Sequence, residues 1–459
     1  MHDSISVVGL GKLGVCLAAC AASKGMRVVG VDLSPRTVGL VNDGRPPVLE
    51  PGLAEMIEAN RERLRATHDM NLAVAESSIT FIVVPTPSEL SGAFSLRYVV
   101  HAIEEIGRSL KNKNDYHLVV VVSTVLPGST EFGILPILEQ SSEKSCGAGF
   151  GLCYGPEFIA LGDVLRGMLR PDFVLIGESD ARAGLTLQSW YQRFCENSPP
   201  ICRMNLVNAE LTKIAVNTYV TTKISFSNML SAICEQLPGA DIDKVTDALG
   251  LDSRIGRRYL TGGLGYGGPC FPRDNQALVF TAKTLGCRAT LAEATDAQNR
   301  SLCAGVVNRI TSLVPRHKKV GILGLAYKPG TNVIEESQPL AIARRLAAEG
   351  YSLIVFDSLA LDNVRLVLRD EVAYADSVTD CLSAADAVII ANPGEEFRKL
   401  HASDFPRREE PVAVFDCWRI LQHELSRCDW VRYVPFGVGD DEVVASARLA
   451  DVWRTAVAG

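Results

Sequence analysis

The sequence has no apolar stretch long enough to cross a membrane, and no basic and apolar leader precedes the strand-like run that begins by Ile5. Neither an anchored nor an exported protein is expected, and a cytoplasmic location is the simplest reading. The 13 cysteines include no CxxC pair and no Cys/His cluster. That scatter argues against a zinc site and, with no leader, against a disulfide framework, so most thiols are expected to be reduced and inert and no metal is expected. An excess of positive charge is missing too: 46 Lys and Arg face 53 Asp and Glu, for a net charge of −7. Nucleic acid is therefore disfavoured as a partner, and any phosphate site must rest on a local cluster of Lys and Arg. What is present is a chain of 459 residues, 47% hydrophobic, sufficient for two or three domains with well-filled cores.

One stretch stands apart, Gly265 to Asp274, with three glycines and two prolines around the single thiol of Cys270. Such a composition is not the interior of a helix or a central strand, so Cys270 is expected on a tight loop. Pro272 suits the first turn of the helical run Asn275 to Thr284. Cys270 would then precede a helix N-terminus, where the dipole favours a thiolate, with Arg273 adding positive charge.

The chain begins with a short strand, Ile5 to Val8, followed by Gly9-Leu10-Gly11-Lys12-Leu13-Gly14, a helical run to Ser23, a strand Arg27 to Val31, and Asp32. The glycines allow a tight turn and close approach to a pyrophosphate on the helix N-terminus, and Asp32 is placed to bind a ribose 2′-hydroxyl. The acid favours NAD over NADP, while Arg36 leaves that choice open. Two further apolar strands, Thr80 to Val84 and Leu118 to Val122, end in Pro85-Thr86-Pro87 and Ser123-Thr124. In doubly wound sheets ligands sit at such carboxyl ends, although either ending is also an ordinary strand-to-helix turn. A strand Gly151 to Tyr154 leads into Gly155-Pro156-Glu157-Phe158, and Phe173 to Ile176 closes this half. By position alone Glu157 is a carboxylate at a helix start.

Pro199 and Pro200 read as a linker before a long helix, Asn208 to Gln236, which places Lys213 and Asn217 on one face. A shorter helix, Ile242 to Leu249, then Asp252-Ser253-Arg254-Ile255-Gly256, precede the cysteine loop. Farther on, a strand Lys319 to Leu323, a helix Pro339 to Ala348 and a strand Ser352 to Phe356 ending in Asp357 repeat the opening plan without the three-glycine fingerprint. A second Rossmann-like half is expected there, suited to a nucleotide but not to a dinucleotide. A helical run from Asp441 to Val457 ends the chain.

In this order GLGKLG with Asp32, VPTP, STVLPGS, GPEF, AELTKIAVN, DSRIG and GYGGPCFPRD strongly resemble the UDP-glucose/GDP-mannose dehydrogenase family over essentially the whole length. The resemblance implies an α/β fold of two Rossmann-like domains joined by a long central helix. The expected regions are an NAD domain at 1–200, a helical dimerisation and catalytic-cysteine region at 201–300, and a nucleotide-sugar domain at 301–459. It implies NAD as cofactor, a nucleotide sugar as substrate, a homodimer or higher homo-oligomer, and a role in polysaccharide biosynthesis. The implied reaction is oxidation of a sugar C6 alcohol to a carboxylate, through a thiohemiacetal and a thioester on Cys270.

In that scheme Lys213 stabilises the alkoxide or oxyanion, Asn217 and Asp274 position it and a water, Glu157 activates the water, and Thr124 helps order it. The same resemblance puts Phe158, Tyr266 and Gly267 with the substrate, Arg254 reaching it across a dimer interface, and Lys328 and Arg419 on the diphosphate or sugar. UDP-glucose is the leading substrate. GDP-mannose, dTDP-glucose and a UDP-N-acetyl-hexosamine are alternatives, the last disfavoured by the PEF form. A β-hydroxyacid dehydrogenase and a non-catalytic NAD-binding scaffold are the competing classes. The chain departs from the family at Leu161, where a glutamate is usual, and at Glu335, where an arginine is usual. Both are expected to alter how the nicotinamide end is held. Pro269 and Arg273 replace Ser and Lys in the loop, and DGR is stretched to Asp416-Cys417-Trp418-Arg419.

Overall fold

The computed structural model describes residues 4–159, 161–439 and 443–458, and they form two compact units. The first contains residues 1–216 and 280–287, and the second 217–279 and 288–459. The expected middle region, 201–300, is thus shared between them.

In the first unit, β1 (Ser4–Val8), β2 (Arg27–Val31), β3 (Leu64–Thr67), β4 (Ile79–Ile82), β5 (His117–Val121), β6 (Phe150–Tyr154), β7 (Val174–Glu178) and β8 (Ile201–Asn205) form one sheet in the order β3-β2-β1-β4-β5-β6-β7-β8. Adjacent strands are parallel except β6 and β7. Strands covered on both faces need apolar residues at successive positions. Accordingly, β4, β5 and β6 are buried at every residue. One core, on Val15, Leu17, Ile79, Phe81 and Trp190, covers one set of strand side chains, and another, on Ile103, Ile106, Val119, Val121 and Leu152, covers the alternate set.

The sheet does not close at β7, as the sequence suggested. Residues 201–205, directly after the expected linker, add β8 beside β7. This edge strand reads Ile-Cys-Arg-Met-Asn and none of its residues is buried, so it lacks the apolar run that marks a central strand.

In the second unit, β9 (Val320–Leu323), β10 (Leu353–Phe356), β11 (Ala373–Tyr374), β12 (Ala387–Ile390), β13 (Val412–Asp416) and β14 (Val431–Pro435) form a parallel sheet ordered β11-β10-β9-β12-β13-β14. Its two faces also carry separate apolar cores. The 29-residue helix Leu206–Cys234 joins the two Rossmann-like parts of the sequence. The last helix is Val443–Ala458; of the helical run expected there, Asp441 and Glu442 lie outside the described residues.

Candidate active site

The first unit builds a cofactor cradle where the strand order reverses, at the carboxyl ends of β1 and β4. Gly9 follows β1 with φ +93°, and a Cβ on Gly14 would lie 1.8 Å from the Gly9 carbonyl oxygen. No other residue type fits these two positions. A Cβ on Gly11 would meet nothing within 4 Å, so the backbone there is open to a ligand at the head of the helix Gly14–Ser23. The Asp32 carboxylate accepts from Leu10 N at 2.8 Å and Ser34 N at 2.9 Å. Lys12 and Arg36 are exposed and Leu13 is half-buried. The endings of β4 and β5 are tied together: Thr86 Oγ1 donates to Thr124 O at 2.9 Å, and Ser123 Oγ donates to Val84 O at 2.7 Å, with Pro85 exposed beside them. These residues fit a dinucleotide.

After β6 the chain delivers Glu157 and Phe158. Lys213 Nζ donates to Glu157 O at 2.8 Å and lies 4.7 Å from the centre of the Phe158 ring. Tyr191 Oη, on the helix Ala181–Phe194, donates to Glu157 Oε1 at 3.3 Å. Burial pushes the Glu157 carboxyl up to about 7, against the opposing pull of Tyr191 and Lys213. One turn before Lys213, the fully buried Glu210 accepts from Gly128 N at 2.6 Å and Thr130 N at 2.7 Å, fixing the loop that follows Thr124. Another buried carboxylate, Glu50, accepts from Gly162 N and Val164 N. Leu161, where the family's glutamate is missing, packs on the apolar core.

The second unit carries the thiol. Cys270 is exposed, and its carbonyl accepts the first helical bond, from Asp274 N at 2.9 Å, so it caps the helix Phe271–Thr284. The sequence began this helix later, at Asn275, but the position of Cys270 ahead of its first turn agrees. Asn217 Nδ2 donates to the buried Asp274 Oδ2 at 2.6 Å. Gly267 and Gly268 let the loop lie flush on its neighbours: a Cβ on Gly267 would be 2.1 Å from Glu336 O, and one on Gly268 would be 2.5 Å from the Tyr327 ring. Gly268 N also donates to Glu335 O at 3.0 Å, while the side chain of Glu335 is exposed.

Tyr266 is buried, with its hydroxyl bonded to Asp296. Arg254 is exposed and bridges Asp252 at 2.6 Å. Lys328 helps line a cleft of about 760 Å³ with Thr331, Asp357, Asn392 and Lys399. Arg419 is buried: it grips Asp243 at 2.7 and 2.9 Å and donates to Phe436 O and Gly262 O.

Sequence reasoning gave no role to Tyr191, Glu210, Glu50, Tyr327 or Asp296. Each acts on a partner distant in sequence; Glu210, for example, holds Thr130 across 80 residues. The signal available at Glu210 was its spacing, three residues before Lys213 and seven before Asn217, which puts it on their helical face.

Residues 3–195 match the NAD binding domain of the UDP-glucose/GDP-mannose dehydrogenase family, 207–301 its central domain and 321–423 its UDP binding domain. The chain is 36% identical over 418 residues to UDP-glucose 6-dehydrogenase AglM of Haloferax volcanii, covering 89% of this chain and 95% of that one. It is 32% identical to GDP-mannose 6-dehydrogenase of Azotobacter vinelandii, with the same two coverages. Among solved structures, a UDP-glucose dehydrogenase from Pyrobaculum islandicum aligns over 96% of this chain and 98% of its own, at 33% identity and a TM-score of 0.86. With all three domains matched in order, the chain belongs to the UDP-glucose/GDP-mannose dehydrogenase family.

Proposed function

We propose that this nucleotide-sugar 6-dehydrogenase oxidises the C6 alcohol of UDP-glucose to the carboxylate of UDP-glucuronate, through covalent adducts on Cys270. The carrying observation is the exposed thiol at the head of a helix, four residues before an aspartate bonded to Asn217. In total, one alcohol, one water and two NAD⁺ give one carboxylate, two NADH and three protons. NAD, when bound, would supply the hydride acceptor for both oxidations; Gly9, Gly11 and Gly14 would hold its pyrophosphate against the helix, Asp32 its ribose, and the Pro85–Thr86 and Ser123–Thr124 endings would border it.

Lys213 stabilises negative charge on O6, and Asn217 with Asp274 orients that oxygen and a water. Between the two oxidations the Cys270 thiolate adds to the aldehyde carbon. A C–S bond forms, the carbonyl pair moves to oxygen, and the thiohemiacetal is again a hydride donor. After the second oxidation Glu157 takes a proton from water as its oxygen attacks the thioester; the C–S bond breaks and the thiolate returns. A carboxyl raised to about 7 is matched to this work near neutral pH.

Lys328 with the cleft around it supports a place for the nucleotide. Arg419, whose donors already serve Asp243 and two carbonyls, is assigned to holding the second unit together, not to phosphate. The exposed Tyr219, Phe226, Met229 and Ile233 on the central helix support a homodimer through that face, and the exposed Arg254 is assigned to reach the substrate across the dimer interface. The higher identity to a UDP-glucose enzyme supports glucose over GDP-mannose as the first substrate to try.

The test is NADH released per UDP-glucose consumed. Two is expected. One means the reaction stops at the aldehyde, and the covalent half of the proposal fails. Turnover with GDP-mannose or dTDP-glucose but not with UDP-glucose would retain the chemistry and reject the substrate.

A further inference from the structure

Within the second unit a buried polar network surrounds the root of the cysteine loop. Tyr266, four residues before Cys270, donates its hydroxyl to Asp296 on the helix Thr290–Leu313. Asn275 Nδ2 donates to the Tyr266 oxygen at 2.8 Å and to Asp296 Oδ1 at 3.1 Å. Its own carbonyl, at 3.0 Å, shares the Thr221 hydroxyl proton with Thr218 O at 2.8 Å. Asn299, one turn after Asp296, donates to Tyr266 O at 3.0 Å. Thr221 stands one turn after Asn217 on the central helix, so two successive residues, Asp274 and Asn275, are held by two successive turns. Every member is at most 8% exposed. Apart from Asn299 Oδ1, which has no hydrogen-bond partner among the described residues, the groups are paired, and a paired polar network in a low dielectric favours one arrangement of the elements it joins, because a slip leaves further buried groups unpaired.

Tyr266, Asp296 and Asn275 hold no group of the reaction as proposed, yet they clamp the chain on both sides of Cys270. Resting on that reading of Cys270, we infer that Asp296, through Tyr266 and Asn275, is a positioning residue for the thiol, needed for oxidation of the aldehyde and dispensable for oxidation of the alcohol. The first oxidation needs no bond to sulfur. The second needs the thiolate within bonding distance of the aldehyde carbon, and small misplacements of such groups are costly.

Tyr266→Phe removes one hydroxyl and leaves Asp296 with Asn275 as partner. The expected result is a fall in NADH per sugar nucleotide from two towards one, with the aldehyde trapped as its oxime by hydroxylamine, and a single-turnover rate that falls severalfold more for the second oxidation than for the first. Asp296→Asn keeps an acceptor for both donors and is expected to restore a ratio near two. An unchanged ratio in Tyr266→Phe, or equal slowing of both oxidations, overturns the inference, as does an Asp296→Asn variant that leaks aldehyde as Tyr266→Phe does.

A measurement without substrate separates this inference from the function it rests on. Peptide-resolved alkylation by iodoacetamide should be about two- to fivefold slower at Cys270 in Tyr266→Phe, the range expected if the thiolate loses its place at the helix end. The exposed Cys202 and Cys287 serve as internal references and should be unaffected. Unchanged alkylation of Cys270 counts against the network. Wild-type protein that makes no NADH from any nucleotide sugar counts against the function instead.

Discussion

The two Rossmann-like sheets begin alike and diverge at one carboxylate. In each, a glycine with positive φ follows the first strand, Gly9 at +93° and Gly324 at +86°. In each, that glycine's amide bonds the end of the second strand at 2.8 Å, to Val31 O or Phe356 O. An aspartate then turns back onto the first loop. Asp32 accepts from two amides there and at its own turn, and is only half-buried. Asp357 accepts from four, Leu325, Ala326, Leu359 and Ala360, and is buried. A carboxylate offers about four acceptor sites. Asp32 therefore keeps capacity for ribose hydroxyls and Asp357 has spent its own on the fold. The helix after the first loop also starts at once, at Gly14, whereas in the second unit it waits until Gln338. One topology thus leaves acceptor capacity at the first aspartate and none at the second.

The sharpest way to separate the units is Cys270→Ser. Acid formation should fall on the order of a thousandfold or more, with NAD affinity unchanged by titration, since the thiolate nucleophile alone is lost. Normal acid formation would break the division of labour. Gly14→Ala should do the reverse, abolishing NAD binding because its Cβ meets backbone at 1.8 Å. In the second unit Gly330→Ala meets nothing within 4 Å and carries only the strain of φ +73°, roughly 1–2 kcal/mol in chemical denaturation.

The paired aspartates come next. Asp32→Ala should raise the KM for NAD about ten- to hundredfold with little loss of stability, whereas Asp357→Ala should cost about 2–4 kcal/mol of stability and leave that KM alone. Similar effects of the two changes would erase the distinction between them.

The smallest effect is a pH dependence confined to the first unit. Glu157 titrates near 7 when folded, above the ordinary glutamate value, so its protonated form favours the fold. That contribution is complete below about pH 4.3 and is lost as pH rises through 7. Glu157→Gln, always neutral, should match wild type in melting near pH 4 and exceed it by about 2 °C at pH 8. The same variant should accumulate a sugar adduct on Cys270, visible by mass spectrometry of the intact chain.

The sequence was most informative where a local pattern had a single physical cause. Apolar runs such as Leu118 to Val122 announced central strands, and glycines at 9, 11 and 14 announced a cradle. It was least informative where identity depends on a distant partner. Arg419 is a family-matched basic residue, yet its guanidinium is committed to Asp243, 176 residues away. Tyr266 looked like a side chain near the sugar, and its hydroxyl is committed to Asp296. β8 escaped notice because an exposed edge strand has no apolar run to show. No helix among the described residues is long and apolar enough to cross a membrane, and none of them forms a group suited to a metal ion.

The chain passes between its two units inside helices, at Val216–Asn217 and at Val279–Phe280, and returns between Cys287 and Arg288. A chimera that joins the first unit of one relative to the second unit of another therefore cannot be made with one splice. Residues 280–287 must travel with the first 216, and two of the three joints must preserve helical phase. Exchange of halves between distant members should therefore yield a folded protein less often than exchange of whole genes.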